Sequence, residues 1–224
     1  VEQPPEQNLS LFKSLKTLIK NDQWRVLCAA ALFLLTGQVL RLTLGVYYVK
    51  YYLGQEDLIT SFMTLGVVAS MVGCACAQPL AKRFCKIKAY ISLQLIAAGI
   101  CIASYFISPD NITLAFAAFI LWKFFLDMAT PLLWAKMADT IDYGHHKTGV
   151  RITGLVYSGV IFFIKMGVAL GGAIAGWLLS FYNYQAQTMQ SLDTQQGILL
   201  SFTIIPAFGS LFVAFIMRKY TLNN

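Results

Sequence analysis

The hydrophobic residues of this chain fall into six long blocks separated by short polar segments. An α-helix needs about 20 apolar residues to cross a bilayer, and each block is close to that length. The pattern predicts an all-α integral membrane protein, a bundle of six transmembrane helices within residues 23–219. The six blocks are Val26–Tyr48, Leu58–Leu80, Ala89–Ile107, Ile112–Lys136, Ile152–Phe181 and Gly197–Met217.

The composition supports a membrane protein. Of the 224 residues, 58% are hydrophobic and 12% are charged, whereas soluble domains carry about 25% charged residues. The mean hydropathy is +0.64. These values exclude a disordered chain, a nucleic-acid-binding arm and an ordinary cytosolic enzyme.

Basic residues predict the orientation, because Lys and Arg concentrate in cytoplasmic loops. If both termini are cytoplasmic, the three opposite loops contain no Lys or Arg. We therefore read the net charge of +7 as a topology signal and an attraction to anionic membrane lipids, with no nucleic-acid partner. Thirteen of the 17 basic residues lie on the cytoplasmic side: Lys13, Lys16, Lys20, Arg25, Lys82, Arg83, Lys86, Lys88, Lys136, Lys147, Arg151, Arg218 and Lys219.

The first 22 residues are predicted to form a cytoplasmic linker and an amphipathic helix. Because residue 1 is Val, we expect a piece of a longer protein. Within Ser10–Lys20, apolar positions such as Phe12 and Ile19 share one helical face and three lysines the other, which is typical of a helix lying on the membrane surface. Residues 220–224 are predicted to be a cytoplasmic tail.

Four ionisable residues fall inside the predicted spans: Arg41, Lys123, Asp127 and Lys165. Each costs about 2.5–3.5 kcal/mol at the bilayer centre and so needs an explanation. Lys123 and Asp127 are four residues apart and can form an intramembrane ion pair. Arg41 can either extend to the membrane surface or line a cavity.

Lys165 lies near the middle of its block, with no acidic residue three or four positions away. It either pairs with another helix or lines a water-filled substrate path. Three bases against one acid leave a charge of +2 in the hydrocarbon zone. We therefore expect carboxylates or an anionic substrate from outside this chain.

Small residues and prolines mark helix packing and breaks. Gly167, Gly171 and Ala175 form one stripe on the fifth block, which favours close helix approach. Gly172 and Gly176 form a second stripe and predict contact on two sides. Pro131 and Pro206 lie inside blocks, where proline kinks a helix.

Residues 137–151 are rich in polar side chains. Asp139 and Asp142 share a helical face, and Arg151 and Lys147 are near enough to pair with them as a gating salt-bridge cluster. A metal site using Asp139, Asp142, His145 and His146 is a weaker alternative, since the spacing is not that of a zinc motif. No nucleophile and base pair for hydrolysis is apparent, so we expect no enzyme, and neither a metal nor a cofactor.

These features resemble the C-terminal half of a glycoside–pentoside–hexuronide:cation symporter, the melibiose-permease group of the major facilitator superfamily. The resemblance covers essentially the whole chain. The matching residues are Tyr47, Tyr48, Tyr52, Gly54, the run Ala138–Gly144, Arg151, Tyr157, Ser158, Lys165 and Tyr220–Asn223.

The resemblance implies one half of a twelve-helix fold in the bacterial inner membrane, with an N-terminal six-helix half as its partner. It implies coupled transport of a sugar or glycoside, with Na⁺ or H⁺ bound mainly by that other half. Lys165 matches the family's substrate-site lysine, and Asp139, Asp142 and Arg151 match its cytoplasmic gate.

The substrate site departs from the melibiose pattern. Thr130 occupies the place of a family tryptophan, and Trp134 follows one turn later. With Arg41, Lys123 and Lys165, this favours an anionic glycoside. A structural membrane subunit without transport of its own, or a carrier of another amphiphile, remains the alternative.

Overall fold

The computed structural model describes residues 11–83 and 85–222. In this part the chain forms eight α-helices, one π-helix and one 3-10 helix. Their bounds are α1 Leu11–Lys20, α2 Asp22–Tyr47, the π-helix Tyr48–Tyr52, the 3-10 helix Glu56–Leu58, α3 Ile59–Arg83, α4 Lys86–Ser104, α5 Ile112–Met128, α6 Thr130–Thr148, α7 Thr153–Phe181 and α8 Leu192–Met217.

Six segments of the described chain are long and apolar enough to cross a membrane. The first combines α2 with the π-helix, and the fourth combines α5 with α6. The predicted six-helix membrane bundle is therefore confirmed in number and order.

Several predicted boundaries were wrong because capping residues, not hydropathy, set the helix ends. α2 begins at Asp22, since the Asn21 side chain accepts a hydrogen bond from the Trp24 amide at 3.0 Å. α8 begins at Leu192, because Ser191 caps it through the Thr194 amide at 3.2 Å. The N-terminal turns of both helices are therefore polar.

The fourth block also differs from its prediction. The helix breaks at Ala129, and Pro131 lies in the first turn of α6, where proline is tolerated. α6 then continues past Lys136 to Thr148 and ends at Gly149, whose φ of 70° suits glycine. Asp142 therefore lies on a helix and not in the predicted connection.

The core lies between α2 and the helices around it. α2 packs mainly against α7 and α8, while α4 packs against α8 and α5, and α3 packs against α5. Buried rings fill the centre: Tyr48 stacks on Phe202 at 4.3 Å, and Phe62 stacks on Phe119 at 4.1 Å between ring centroids. α3 and α7 are the most exposed of the six spans.

The predicted amphipathic helix forms as α1. Phe12 and Ile19 are exposed while Leu18 is buried, so an apolar face remains open for the membrane surface. The described start of the predicted tail packs against the bundle. Tyr220 is buried, and its hydroxyl donates to the Lys136 carbonyl at 3.0 Å. Burial raises the pKa of Tyr220 to about 12, so this donor stays protonated.

Candidate functional site

Lys165 occupies the middle of α7 on an exposed side. It is the thirteenth of 29 residues, which places it about 18 Å from the start of the helix. Its side chain is exposed and makes no hydrogen bond or ion pair with any residue from 11–83 or 85–222. A cation at this depth is costly unless polar surroundings complete it.

The two predicted stripes of small residues behave differently. A Cβ atom on Gly167 would lie 2.6 Å from the Leu32 carbonyl oxygen, and one on Gly171 would lie 2.7 Å from that of Thr36. This stripe therefore brings α7 onto the backbone of α2, as predicted. Gly172 and Gly176 have no atom of the described residues within 4 Å of such a Cβ, so the predicted contact on a second side of α7 is not made within this part of the chain.

Helical spacing places Lys165 on the side that carries Gly172 and Gly176. It is two residues from Gly167, hence about 160° around the helix at 3.6 residues per turn. α7 thus presents one face to α2 and a second face, with a cation and two glycines, away from this bundle. We call Lys165, Gly172 and Gly176 the open face of α7.

Arg41 lies elsewhere, inside the bundle. Its side chain is 0% exposed, and its guanidinium lies 4.6 Å from the Trp122 ring centre and 4.5 Å from that of Phe202. It also donates to Cys101 Sγ and, at 3.2 Å, to Ser104 Oγ. Of the two alternatives that the sequence left open, extension of Arg41 to the surface does not occur, and its role as a substrate contact stays a prediction.

Lys123 and Asp127, the residues expected to form an intramembrane ion pair, lie in contact. Lys123 Nζ lies 2.6 Å from Asp127 Oδ2, and Gln38 of α2 donates to Asp127 Oδ1 at 3.1 Å. Both charged residues are buried. The pair therefore neutralises itself and connects α5 to α2.

Thr130 and Trp134 begin α6 one turn apart. Thr130 is half-buried, whereas Trp134 is 47% exposed. An exposed tryptophan can contact a ligand or lipid, so both residues stay predictions as substrate contacts.

The charges at the end of α6 pair only partly as predicted. Arg151 Nη1 lies 3.2 Å from Asp142 Oδ1 and connects the end of α6 to the start of α7. Asp139 was expected to pair with Arg151 or Lys147, but it pairs with Lys136 at 3.0 Å on its own helix. The spacing of three residues brings Lys136 and Asp139 together on one face.

The sequence analysis did not predict the contact between the start of α2 and the end of α6, which is made mainly by Asp22. Asp22 pairs with Lys147 and accepts a hydrogen bond from the Tyr143 hydroxyl at 3.0 Å. Asn21 also donates to the Thr140 carbonyl at 3.0 Å. The signal was present, because Asn21 and Asp22 follow a basic helix end and mark a new helix start.

A resident metal site is not evident in the described residues. They contain no group of three or more His, Cys, Asp or Glu side chains that could hold an ion. Binding of the coupling ion by another part of the protein stays a prediction.

The sequence profile of the MFS/sugar transport protein family matches residues 2–224. The chain belongs to this family. Membership of this MFS family confirms the resemblance found in the sequence, and the family is one of transport proteins and not of enzymes.

Individual relatives agree with the family. The chain is 33% identical to the putative glycoside/cation symporter YagG of Escherichia coli K12 over 95% of its own length and 47% of that protein. It is 32% identical to the inner membrane symporter YicJ of the same strain, with coverage of 98% and 48%. It is also 32% identical to that strain's putative sulfoquinovose importer, with coverage of 99% and 47%.

The chain thus spans about half the length of the curated relatives it matches. Six spans correspond to one half of a major facilitator fold. Together with the inner-membrane relatives, they confirm a multi-pass membrane protein.

Proposed function

We propose that this MFS chain is the C-terminal half of a secondary active transporter that carries a sugar or glycoside by alternating access. In such transporters the two halves rock around a site near the bilayer midplane, driven by the downhill movement of Na⁺ or H⁺. The observation that carries the proposal is Lys165, an exposed cation at mid-helix that has no partner among residues 11–83 and 85–222.

Lys165 has chemistry suited to substrate recognition. An ammonium group offers three hydrogen-bond donors, which can bind sugar hydroxyls or an acidic group. Carboxylates of the other half would balance its charge when the site is empty and bind the coupling ion. Proximity of Lys165 to those carboxylates then links cation binding to substrate binding.

The charge balance supports an anionic glycoside. Lys123 is neutralised by Asp127 and Arg41 is enclosed by aromatic rings, so Lys165 is the intramembrane cation available to a substrate. The similarity to a putative sulfoquinovose importer supports the same preference.

The Asp142–Arg151 pair is proposed to act as part of the cytoplasmic gate. The pair lies within this half and connects the end of α6 to the start of α7. It would therefore hold these two helices together and not bridge the two halves. Asp142 is exposed and can exchange Arg151 for a basic partner on the other half as the gate closes. Asp139, held by Lys136, would support the same helix end.

Uptake by vesicles containing the full-length protein tests this proposal. A panel of neutral and anionic glycosides is offered with an imposed Na⁺ gradient, an imposed H⁺ gradient, or neither. We expect gradient-driven accumulation, with anionic glycosides competing better than neutral analogues. Absence of accumulation for the whole panel would favour a structural membrane subunit, and equal competition would contradict the anionic preference.

A further inference from the structure

A cavity opens between α3 and α4, well separated along the chain from Lys165. The two helices are consecutive, yet both pack on α5 and make few contacts with each other. They therefore diverge and leave a wedge-shaped cavity of about 440 Å³. Its floor is formed by Phe125 and Met128 of α5.

The lining of this cavity is almost entirely apolar, apart from one end. Leu80 of α3 and Leu93 of α4 form its sides. Lys88, Ser92 and Ile96 follow at intervals of four residues and form one stripe on α4. From Lys88 to Ile96 the stripe runs about 12 Å along the helix, into the apolar part of the bundle.

The end with Lys88 is strongly basic. Lys82, Arg83, Lys86 and Lys88 lie within seven residues, and no Asp or Glu occurs from Leu58 to Pro109. None of the four forms an ion pair with a residue of the described ranges, in contrast to Lys136 and Lys147 nearby on the same predicted side. Lys88 itself lines the cavity, and the other three lie close to it in sequence, at the end of α3 and the start of α4. These four residues are called the basic rim.

We propose that this cavity binds an anionic phospholipid, with an acyl chain along the α4 stripe and the phosphate on the basic rim. An apolar wedge at membrane depth is filled by hydrocarbon more favourably than by water. A cluster of Lys and Arg at the cytoplasmic end of membrane helices attracts anionic headgroups. The lipid then fills the space between α3 and α4, whatever substrate the transporter carries.

Two variants of the full-length protein test the headgroup contact and the acyl-chain contact separately. Lys82→Gln/Lys88→Gln removes one rim charge from α3 and one from α4, and Ser92→Trp fills the cavity while keeping every charge. The matched controls are Arg218→Gln/Lys219→Gln, which removes two exposed charges after α8, and Leu95→Trp, at an exposed position of α4 outside the cavity lining.

The measurement is native mass spectrometry after exchange into mixed micelles of phosphatidylglycerol and phosphatidylcholine, with thermal unfolding to confirm that each variant is folded. We expect the unmodified protein and both controls to retain one phosphatidylglycerol. Retention by each test variant should fall about tenfold, and phosphatidylcholine should be retained about tenfold less than phosphatidylglycerol.

Three results would overturn the proposal. Equal loss in Arg218→Gln/Lys219→Gln would mean that net charge alone attracts the lipid. Full retention of phosphatidylglycerol by folded Ser92→Trp would mean that no acyl chain enters the cavity. Equal retention of the two lipids would remove the headgroup contact.

Discussion

Lys123 Nζ lies 2.6 Å from Asp127 Oδ2, one turn along α5, and the two charges neutralise each other inside the membrane bundle. No carboxylate in the described part of the chain pairs with Arg41, but two aromatic rings enclose its guanidinium. Of the three intramembrane bases, Lys165 alone faces away from the described part of its own bundle. The charge of +2 seen in the sequence is therefore divided between Arg41, which is enclosed by rings, and Lys165 on the open face of α7.

Breaking the Lys123–Asp127 pair should destabilise the bundle strongly. Asp127→Asn leaves a buried lysine without its counter-ion, which costs about 3–5 kcal/mol. Replacing both residues, as in Lys123→Met/Asp127→Leu, should recover most of that loss, since buried pairs exchange for apolar groups at little cost. Equilibrium unfolding in mixed micelles measures each value.

Glu56→Gln is the control, because it removes the partner of Lys50 in a solvent-accessible pair between the π-helix and the 3-10 helix. Its effect should stay below about 1 kcal/mol. If the double variant were as unstable as Asp127→Asn alone, a further role of Lys123 or Asp127 in the fold would be required.

The contact of α7 with α2 makes a second prediction. In Gly171→Ala the new methyl group would lie 2.7 Å from the Thr36 carbonyl oxygen and 2.9 Å from Val39 Cβ, so the helices must separate at a cost of about 1–3 kcal/mol. Thermal unfolding of the purified protein detects this loss.

Gly99→Ala serves as its control, since a Cβ atom there meets nothing within 4 Å. It should leave stability unchanged or raise it by up to about 1 kcal/mol, because alanine is the better helix former. Equal destabilisation by both substitutions would show that close approach at Gly171 is not what limits the packing.

The sequence was sufficient for the architecture and for part of the charge pairing. Block lengths alone predicted six spans, since a membrane helix must satisfy its backbone internally over a fixed thickness. The spacing of Lys123 and Asp127 predicted their pair. The stripe of Gly167 and Gly171 predicted a close helix contact, although not that α2 is the neighbour.

Cys85 allows a test of the predicted orientation. It precedes α4 in the Lys-rich connection after α3, which the positive-inside rule assigns to the cytoplasm. The amide groups of Lys88 and Ile87 lower the pKa of its thiol. A lower pKa means a larger thiolate fraction at neutral pH, and thus faster alkylation.

A membrane-impermeant maleimide should therefore label Cys85 in inside-out vesicles and not in intact cells. The rate should rise with pH and level off at a lower pH than for a thiol with an ordinary pKa. Buried Cys101 should remain unlabelled and acts as the internal control. Labelling from outside the cell would reverse the topology.

The sequence could not predict how each helix is rotated about its axis or which distant residues contact each other. Hydropathy gives the depth of Arg41 along α2, but whether it faces a cavity or the core depends on Trp122 and Phe202, which are 80 and more residues away. Lys136, Lys147 and Arg151 were all possible partners of Asp139. Because α6 continues as a helix past Lys136, Lys136 lies on the same face as Asp139 and pairs with it. The second stripe, Gly172 and Gly176, has no contact within the described bundle, so the predicted contact on a second side of α7 stays a prediction.

Cysteine accessibility at Lys165 tests the central claim most directly. Lys165→Cys and the control Leu170→Cys are made in the full-length protein with its native cysteines replaced, because Leu170 is exposed on a different side of α7. If the open face borders an aqueous substrate path, a charged maleimide should modify Lys165→Cys about tenfold faster than Leu170→Cys, since thiols in apolar surroundings ionise poorly. A transported glycoside should slow the reaction at residue 165. Equal, slow reaction at both positions would place Lys165 against lipid and contradict the account.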